Sequence, residues 1–364
     1  MNFDRLRIRF SHNDGELALL DSGDPTMPYL TSTRDKSRLL STRLYIPFAL
    51  TVSAIVSARA DDVKTNDIFA QTEIQPETDV AFLEGPACDR AGNVFFTNIP
   101  VERIMKWDVA TRQMIVFREK SNKANGLAFD REGKLLACEG GVGRITRTDM
   151  KSGEIEVLAD NYKGMPLGGV NDLALDAKGR IYFTSRFGTD LKAGQVNAVY
   201  GLDPDGSLER LVATPDVDMP NGIVTSPDDK TLYLIDADPR ADHARKIRAY
   251  DLSEDGTLSK ERTLIDFYPG RSGDGMAIDA KGNLYVAAGL HRPRGTSETL
   301  DTKPGIHVVS PEGKRMAYIE TPEDTITNCT FGGEDLKTLY VACGKKLLSI
   351  RTKVPGKSTY RPQK

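Results

Sequence analysis

The sequence predicts an all-β protein, a six-bladed β-propeller whose four-stranded antiparallel blades surround a central channel. Six similar segments recur along the chain, and each reads as two strands joined by a tight turn. No segment repeats its apolar residues with the 3.6-residue period of a helix, which disfavours folds that alternate strands and helices. A β-sandwich is the alternative, but it does not account for six segments in register.

The repeats define the blades one by one. In chain order, their first residues are Glu84, Asn125, Asn171, Asn221, Asp274 and Asn328. Four of the turns read D-x-x-G, which is typical of a β-hairpin, and they begin at Asp89, Asp130, Asp176 and Asp279. Further strands follow each hairpin. We expect a strand near residues 68–74 to complete the last blade, whose own C-terminal strand is predicted at 346–352.

Residues 1–60 differ in composition from the repeats. Basic residues between positions 34 and 43 precede an uncharged apolar run at 44–56, which the A-x-A pattern ending at Ala60 follows. This order is that of a secretory signal, with Met27 as the expected true start and cleavage expected after Ala60. The run is shorter than the roughly 20 residues of a permanent membrane span. A buried helix of the domain is the alternative.

The predicted organisation is therefore a leader at 1–60, a lead-in at 61–77, the propeller at 78–352 and a polar tail at 353–364. The mature protein is expected to be exported, either to a periplasm or to the medium. Lys and Arg total 49 against 52 Asp and Glu, and this net charge of -3 argues against a nucleic-acid partner. The four cysteines form no C-x-x-C pair, which excludes a zinc ribbon.

The first residues of the six repeats are predicted to form one ring, because the first strand of each propeller blade lines the channel. All six side chains carry an oxygen, and two of them are carboxylates. Such hard donors suit a divalent hard cation, with Ca²⁺ preferred and Mg²⁺ or Mn²⁺ left open as alternatives, whereas the absence of His and Cys disfavours Zn²⁺. The alternative is that Asn and Asp open these strands as turn formers.

The second strand of each hairpin returns to the same mouth of the channel and brings a second set of polar residues there. Glu139 and Asp236 belong to this set, where they would orient the first ring or contact the substrate. Asp236 is the stronger candidate because it is expected beside Asn221. His291 lies three residues beyond the second set, and it is either a proton-transfer group at the mouth or an exposed loop residue.

The EGP opening, the Asn-Asp and Asn-Gly strand starts and the segment SGDGMAIDAKGNLYVA resemble the SMP-30/gluconolactonase/LRE-like family over about residues 80–345. The resemblance implies a calcium-dependent six-bladed propeller hydrolase. It also implies which ring members hold the metal, namely Glu84, Asn171, Asn221 and Asp274. One departure concerns the substrate: animal lactonases of the family have an Arg two residues before the Asn of the Asn-Asp segment, where this chain has Gly169.

Together these features predict a metal-dependent hydrolase that opens a cyclic ester, with a sugar lactone as the expected small-molecule substrate. Asp274 is the first candidate for the base or nucleophile, and Asp236 is the second. The residues predicted to contact the substrate are Asn125, Glu139, His291 and Asn328. Two alternatives remain: a non-enzymatic ligand- or protein-binding propeller with a structural metal, and a phosphotriester hydrolase that uses the same site.

Overall fold

The structure is a computed structural model that describes residues 65–357, and these residues form a six-bladed β-propeller. The predicted fold class is therefore confirmed. Each blade is a four-stranded antiparallel sheet, and in five of the six blades the strands follow one another in chain order. The first strands of neighbouring blades contact each other, so they surround the central channel.

The described region begins with a short helix and an edge strand, α1 (Thr65–Ile68) and β1 (Gln75–Asp79). The first blade consists of β2 (Leu83–Cys88), β3 (Val94–Asn98), β4 (Arg103–Asp108) and β5 (Gln113–Arg118), with a 3₁₀ turn at Ile99–Val101. The second blade consists of β6 (Ala124–Phe129), β7 (Leu135–Glu139), β8 (Arg144–Thr148) and β9 (Ile155–Ala159). A two-stranded sheet, β10 (Asn161–Tyr162) and β11 (Met165–Pro166), leads to the third blade.

The third blade consists of β12 (Gly169–Leu175), β13 (Ile181–Arg186), β14 (Ala198–Leu202) and β15 (Leu208–Ala213). The fourth consists of β16 (Pro220–Thr225), β17 (Thr231–Ala237), β18 (Arg245–Leu252) and β19 (Leu258–Asp266). The fifth consists of β20 (Gly273–Ile278), β21 (Leu284–Ala288), β22 (Gly305–Val309) and β23 (Arg315–Glu320). The sixth contains β24 (Ile326–Gly332), β25 (Thr338–Cys343) and β26 (Lys346–Arg351).

Strand β1 closes the ring of blades, because it pairs with β26 and completes the sixth blade. The closing strand thus comes from the N-terminal side, as expected, but it lies just after the predicted segment 68–74. Phe69, within that segment, makes only a single bridge to Thr352. One blade therefore joins both ends of the described chain.

Each first strand runs from a ring end, where the six repeats begin, to a turn end, where the first hairpin turns lie. The D-x-x-G turns have a simple physical basis, as the second blade shows. The Asp130 carboxylate accepts hydrogen bonds from the backbone N–H groups of Glu132 and Lys134, at 2.9 and 2.8 Å. Gly133 supplies a φ of +82°, which favours glycine.

A C-terminal tail, residues 353–357, crosses the turn end. The backbone N–H of Gly356 donates to Leu336 of the sixth blade, and that of Lys357 donates to Ile278 of the fifth. The Lys357 ammonium then reaches the fourth blade, where its Nζ lies 2.6 Å from an oxygen of Asp229. Lys357 also lines a cavity of about 150 Å³ in the channel.

Apolar side chains fill the space between neighbouring blades. Tyr285 of the fifth blade and Phe331 of the sixth, for example, pack edge to face with ring centroids 4.9 Å apart. The cysteines are buried and unbridged, and they are Cys88, Cys138, Cys329 and Cys343. Within residues 65–357 no helix has the length and apolar character needed to cross a membrane. The leader at 1–60, with Met27 and Ala60, lies outside the described residues, as do 61–64 and 358–364, so the predicted signal and export stay predictions.

Candidate active site

The ring residues converge at the channel mouth because a glycine follows four of them. Gly85 has a φ of +43°, and a Cβ there would lie 2.1 Å from the carbonyl oxygen of Asn125. A Cβ on Gly275 would lie 2.1 Å from the Cγ of Asn328. Atoms cannot approach so closely, so a side chain at position 85 would push the second blade away from the channel, and one at position 275 would displace the Asn328 side chain.

Three of the four predicted metal ligands lie in one connected group. Glu84 is 6% exposed, and its Oε2 accepts a hydrogen bond from the N–H of Gly85 at 3.0 Å. One oxygen of Asp274 accepts from Nδ2 of Asn221 at 2.6 Å, and the other accepts from the Arg271 guanidinium at 2.6 Å. The charge of Asp274 acts on the Glu84 carboxyl, so the first and fifth blades present carboxylates to the same mouth of the channel.

The two carboxylates make the ring mouth a favourable place for a cation. Burial raises the pKa of Glu84 well above its usual range, and the negative charge of Asp274 raises it further. Asn171 is 4% exposed, and its side chain makes no hydrogen bond within residues 65–357. Two carboxylates with uncommitted amide oxygens form a hard donor set, and their residue types fit Ca²⁺.

Asp172, which the sequence reasoning did not select, forms the floor of the ring together with Asn328. The Asn328 amide nitrogen donates to Asp172 at 3.1 Å, and this bond links the third and sixth blades across the channel. Burial raises the pKa of Asp172 to about 7. A sequence signal was available, because Asp172 occupies the position that a glycine takes in four other repeats.

Asn125 has a half-buried side chain, and that side chain makes no hydrogen bond within the described region. Its backbone carbonyl is fixed by the hydroxyl of Thr97 at 3.0 Å. The structure therefore leaves the Asn125 amide at the ring with its polar atoms uncommitted.

Glu139 and Asp236 are fully buried in the walls of their blades, and neither side chain hydrogen-bonds a ring residue. Both oxygens of Asp236 are occupied, since they accept from the N–H of Met219 at 2.7 Å and from the Arg248 guanidinium at 2.8 Å. The oxygens of Glu139 are occupied in the same way by Arg118, Asn122, Arg144 and Thr146. Although burial alone would raise the pKa of Glu139, these donors hold it below its usual value.

His291 lies on the rim of the ring end. Its Nε2 is 2.8 Å from the carbonyl oxygen of Thr321, and its backbone N–H donates to Asp324 at 3.1 Å. It lines a surface groove of about 820 Å³ formed by the fifth and sixth blades and by Ala81 and Phe82. The structure does not bring its imidazole into hydrogen-bonding contact with the ring.

Two further features were missed from the sequence. Arg271 holds Asp274 and also donates to the Ile326 carbonyl at 3.0 Å, and its position three residues before Asp274 was the available signal. A rim cluster at the ring end of the fourth blade brings Asp218, Asp238 and His243 within 4.8 Å of one another. This acidic cluster is a second candidate metal site by residue type, but the guanidinium of Arg240 already binds Asp238 through two nitrogens.

The comparisons with known proteins agree with this geometry. The sequence model described as the SMP-30/Gluconolactonase/LRE-like region matches residues 82–345. A gluconolactonase of Zymomonas mobilis is 27% identical over 375 aligned positions, which cover 90% of this chain and 99% of that protein. Human regucalcin is 27% identical over 268 positions, covering 72% of this chain and 83% of that protein.

A solved structure gives the same result in three dimensions. A gluconolactonase of Xanthomonas campestris superimposes with a TM-score of 0.65 at 27% identity, and the match covers 77% of this chain and 89% of that one. The fold, the ring of acidic and amide residues and the matched residues 82–345 lead to one conclusion: this chain belongs to the SMP-30/gluconolactonase/LRE-like family.

Proposed function

We propose that this protein is a calcium-dependent lactonase that opens a sugar lactone with water. The observation that carries the proposal is that two carboxylates, Glu84 and Asp274, lie at one mouth of the channel with the amide oxygens of Asn171 and Asn221, which accept no hydrogen bond within residues 65–357. The names of relatives that span most of the chain, which are gluconolactonases, support the same enzyme class.

The proposed calcium ligands are the four residues that the family resemblance implies, Glu84, Asn171, Asn221 and Asp274. A bound divalent cation would act as a Lewis acid on the lactone carbonyl oxygen. The two carboxylates balance its charge, and the two amides add oxygen donors without further charge. Other hard divalent cations fit the same donor set.

Asp274 is the proposed general base. Its side chain is 16% exposed and lies at the ring, whereas that of Asp236 is completely buried in the wall of its blade. Asp274 accepts a proton from the attacking water as the water oxygen bonds to the carbonyl carbon. The ring C–O bond then breaks, and the same proton passes to the departing ring oxygen, which gives a hydroxy acid. Arg271 keeps Asp274 oriented toward the ring.

The remaining predicted residues differ in how directly they act on the substrate. Asn125, whose amide is uncommitted, contacts the substrate directly. Asn328 supports the floor through Asp172, and Asp236 positions the strand beside Asn221. Glu139 stabilises the wall of its blade and His291 stabilises the rim, and in this proposal neither contacts the substrate.

Export through the N-terminal leader is also part of the proposal. The order of basic, apolar and small residues before Ala60 supports it. N-terminal sequencing of the protein purified from its native cells tests it: a mature chain that starts after Ala60 agrees, and a chain that retains the apolar run contradicts it.

The decisive experiment is a lactonase assay on chelator-treated protein, with and without added Ca²⁺, using aldonolactones of five- and six-membered rings. We expect hydrolysis only with the cation, and loss of hydrolysis in Asp274→Asn. Asp279→Asn is the matched control, because Asp279 lies in the same blade but at the turn end. No hydrolysis of any ring size contradicts the proposal, and faster hydrolysis of phosphotriesters than of lactones favours the alternative enzyme.

A further inference from the structure

Arg186 is the last residue of β13 and lies at the ring end of the third blade. It pairs directly with Gly169 on β12, and directly opposed residues of an antiparallel pair point to the same face of the sheet. Since Gly169 has no side chain, β12 places no side chain beside Arg186 at that position. Arg186 is half-buried, yet it makes no hydrogen bond or ion pair with any residue in 65–357.

The positive charge of Arg186 acts on two carboxyl groups of the ring. Burial is the main cause of the raised pKa values of Glu84 and Asp172, and the positive charge of Arg186 acts on both in the opposite direction. Arg186 ends β13 at the ring end, which agrees with the action of its charge on two carboxyls of the ring.

Other buried arginines of the ring end are fully committed. Arg271 binds Asp274 and a backbone carbonyl, and Arg248 binds Asp236 and Glu261. Burying a guanidinium without a partner is costly, so arginines in such places normally have one. Arg186 has none within the described region, and a partner that arrives from solution would satisfy it.

The backbone that carries Arg186 is held in place. Asn197, which is 2% exposed, accepts a hydrogen bond from the N–H of Phe187 at 2.7 Å. The same amide donates to the carbonyls of Gly188 and Asp218, at 2.9 and 2.7 Å. The strand end is thus fixed to the fourth blade, and a fixed base lets an arginine bind with little loss of entropy.

The charges around the ring indicate what Arg186 binds. The negative groups are Glu84, Asp274 and Asp172, and the positive groups are Arg271, Arg186 and, at the exposed rim, Arg294. A bound divalent cation gives the mouth a net positive charge even with all three carboxylates ionised. A planar guanidinium binds carboxylate and phosphate groups through two parallel hydrogen bonds.

We propose that Arg186 is a specificity-determining residue that binds an anionic substituent, a carboxylate or a phosphate, on the lactone. This inference rests on the proposed lactonase function. The substrate class is then the lactones of acidic sugars, which carry a negative charge that an uncharged sugar lactone lacks.

The test compares the wild-type protein with Arg186→Gln and Arg186→Lys on three calcium-replete substrates. These are an uncharged aldonolactone, an aldaric acid lactone that carries a carboxylate, and a phosphorylated aldonolactone, which separates the two anionic groups. Arg210→Gln is the control, because Arg210 lies in the same blade but packs over Tyr162, 5.4 Å from the ring centroid.

We expect Arg186→Gln to raise the KM for at least one anionic lactone roughly ten- to hundredfold, the usual effect of losing a hydrogen bond to a charged group. The KM for the uncharged lactone should change less than about twofold, and Arg186→Lys should fall between the two proteins. Equal changes for charged and uncharged lactones, or no change, would overturn the proposal.

Calorimetry supplies two readouts that a merely structural role would not give. The affinity of Arg186→Gln for Ca²⁺ should equal or exceed that of the wild-type protein, because a positive charge near the ligands is removed. Weaker Ca²⁺ binding would mean that Arg186 supports the fold, and it would overturn the assignment.

Titration with an aldarate dianion in the presence of Ca²⁺ separates this proposal from the lactonase proposal. If the wild-type protein opens none of the three lactones, the lactonase proposal is wrong. Weaker aldarate binding by Arg186→Gln than by Arg210→Gln, by about tenfold or more, would still support the anion site. Equal binding by the two variants would overturn it.

Discussion

The two ends of the channel use the same acidic residue types in opposite ways. At the ring end, Glu84 and Asp172 are buried beside Asp274, and burial followed by mutual repulsion raises their pKa values. At the turn end, hydrogen bonds from Ser253 and Arg351 hold the pKa values of Asp255 and Asp335 to about 2. At the ring end, burial and repulsion outweigh the hydrogen bonds that the carboxylates accept, whereas at the turn end the hydrogen bonds outweigh burial.

This difference indicates where the protein has given up stability for chemistry. A carboxylate that accepts hydrogen bonds from its own turn stabilises the fold and is a poor proton acceptor. A buried carboxylate beside another one destabilises the fold until a cation arrives, and strongly shifted groups of this kind cluster at functional sites. Substitutions at the two ends should therefore change different measurable quantities.

The largest expected effect is on metal binding at the ring end. Glu84→Gln keeps the shape of the side chain but halves the carboxylate charge that Glu84 and Asp274 provide. We expect Ca²⁺ affinity to fall by more than the roughly 10- to 100-fold that loss of an outer partner costs at metal sites. Calorimetric titration measures the loss, and the thermal transition of the calcium-free variant should show that the propeller remains folded.

The matched control for Glu84→Gln is Glu139→Gln, the same change at a buried glutamate that lies in a blade wall. It should lower stability, because four donors lose a charged acceptor, without a comparable loss of Ca²⁺ affinity. A larger loss of affinity in Glu139→Gln than in Glu84→Gln would contradict the assignment of the ring.

The sequence was sufficient to predict the blades and the ring, because both depend on residues that recur at fixed positions. Asn221 and Asp274 lie 53 residues apart in the chain and meet because they hold equivalent positions in adjacent blades. The closing strand Gln75–Asp79 was harder to find, since QPETD is polar and contains a proline. Such a sequence is tolerated at a sheet edge, and nothing in it resembles the inner strands.

Pairing between strands was the part of the site that the sequence did not reveal. Asp236 was predicted as a second base, but the guanidinium of Arg248, on the neighbouring strand β18, binds its carboxylate. Arg186 likewise becomes visible only when the register places it across from Gly169. A repeat fixes where each strand begins, whereas the partner of a polar side chain depends on register and rotamer.

At the turn end, Lys357→Met should lower stability without changing the metal site. Lys357 donates to Thr225, Ser226 and Asp229, and its side chain is 10% exposed. Loss of these bonds should reduce the free energy of unfolding by about 2 kcal/mol, measured by urea denaturation in the presence of a chelator. Lys346→Met is the control, because its ion pairs are more exposed and their loss should cost less stability.

Unchanged stability in Lys357→Met would mean that the tail does not hold the blades together. A change in Ca²⁺ affinity would mean that the two ends of the channel are coupled through the cavity between them. Either result would contradict the assignment of metal binding to the ring end and of fold stabilisation to the turn end.

The pH dependence of metal binding sharpens the contrast further. Because burial raises the pKa of Glu84, this carboxyl is partly protonated where an ordinary glutamate is ionised, and the proton must leave when a cation binds. Acidification below that pKa should therefore weaken Ca²⁺ binding, by about tenfold per pH unit for one released proton. Calorimetry in buffers of different ionisation enthalpy counts the protons, and Glu84→Gln should release fewer.

The smallest expected effect is that of Asn125→Ala. Asn125 belongs to the ring, but it is neutral and is assigned to the substrate rather than to the metal. Its backbone contact with Thr97 does not depend on the side chain, so the blade should remain intact. We expect less than a tenfold loss of Ca²⁺ affinity, alongside a clear rise in the KM for the lactone. If Asn125→Ala abolishes Ca²⁺ binding while Glu84→Gln retains near wild-type affinity, the metal lies on the other side of the ring, and the proposed ligand set is wrong.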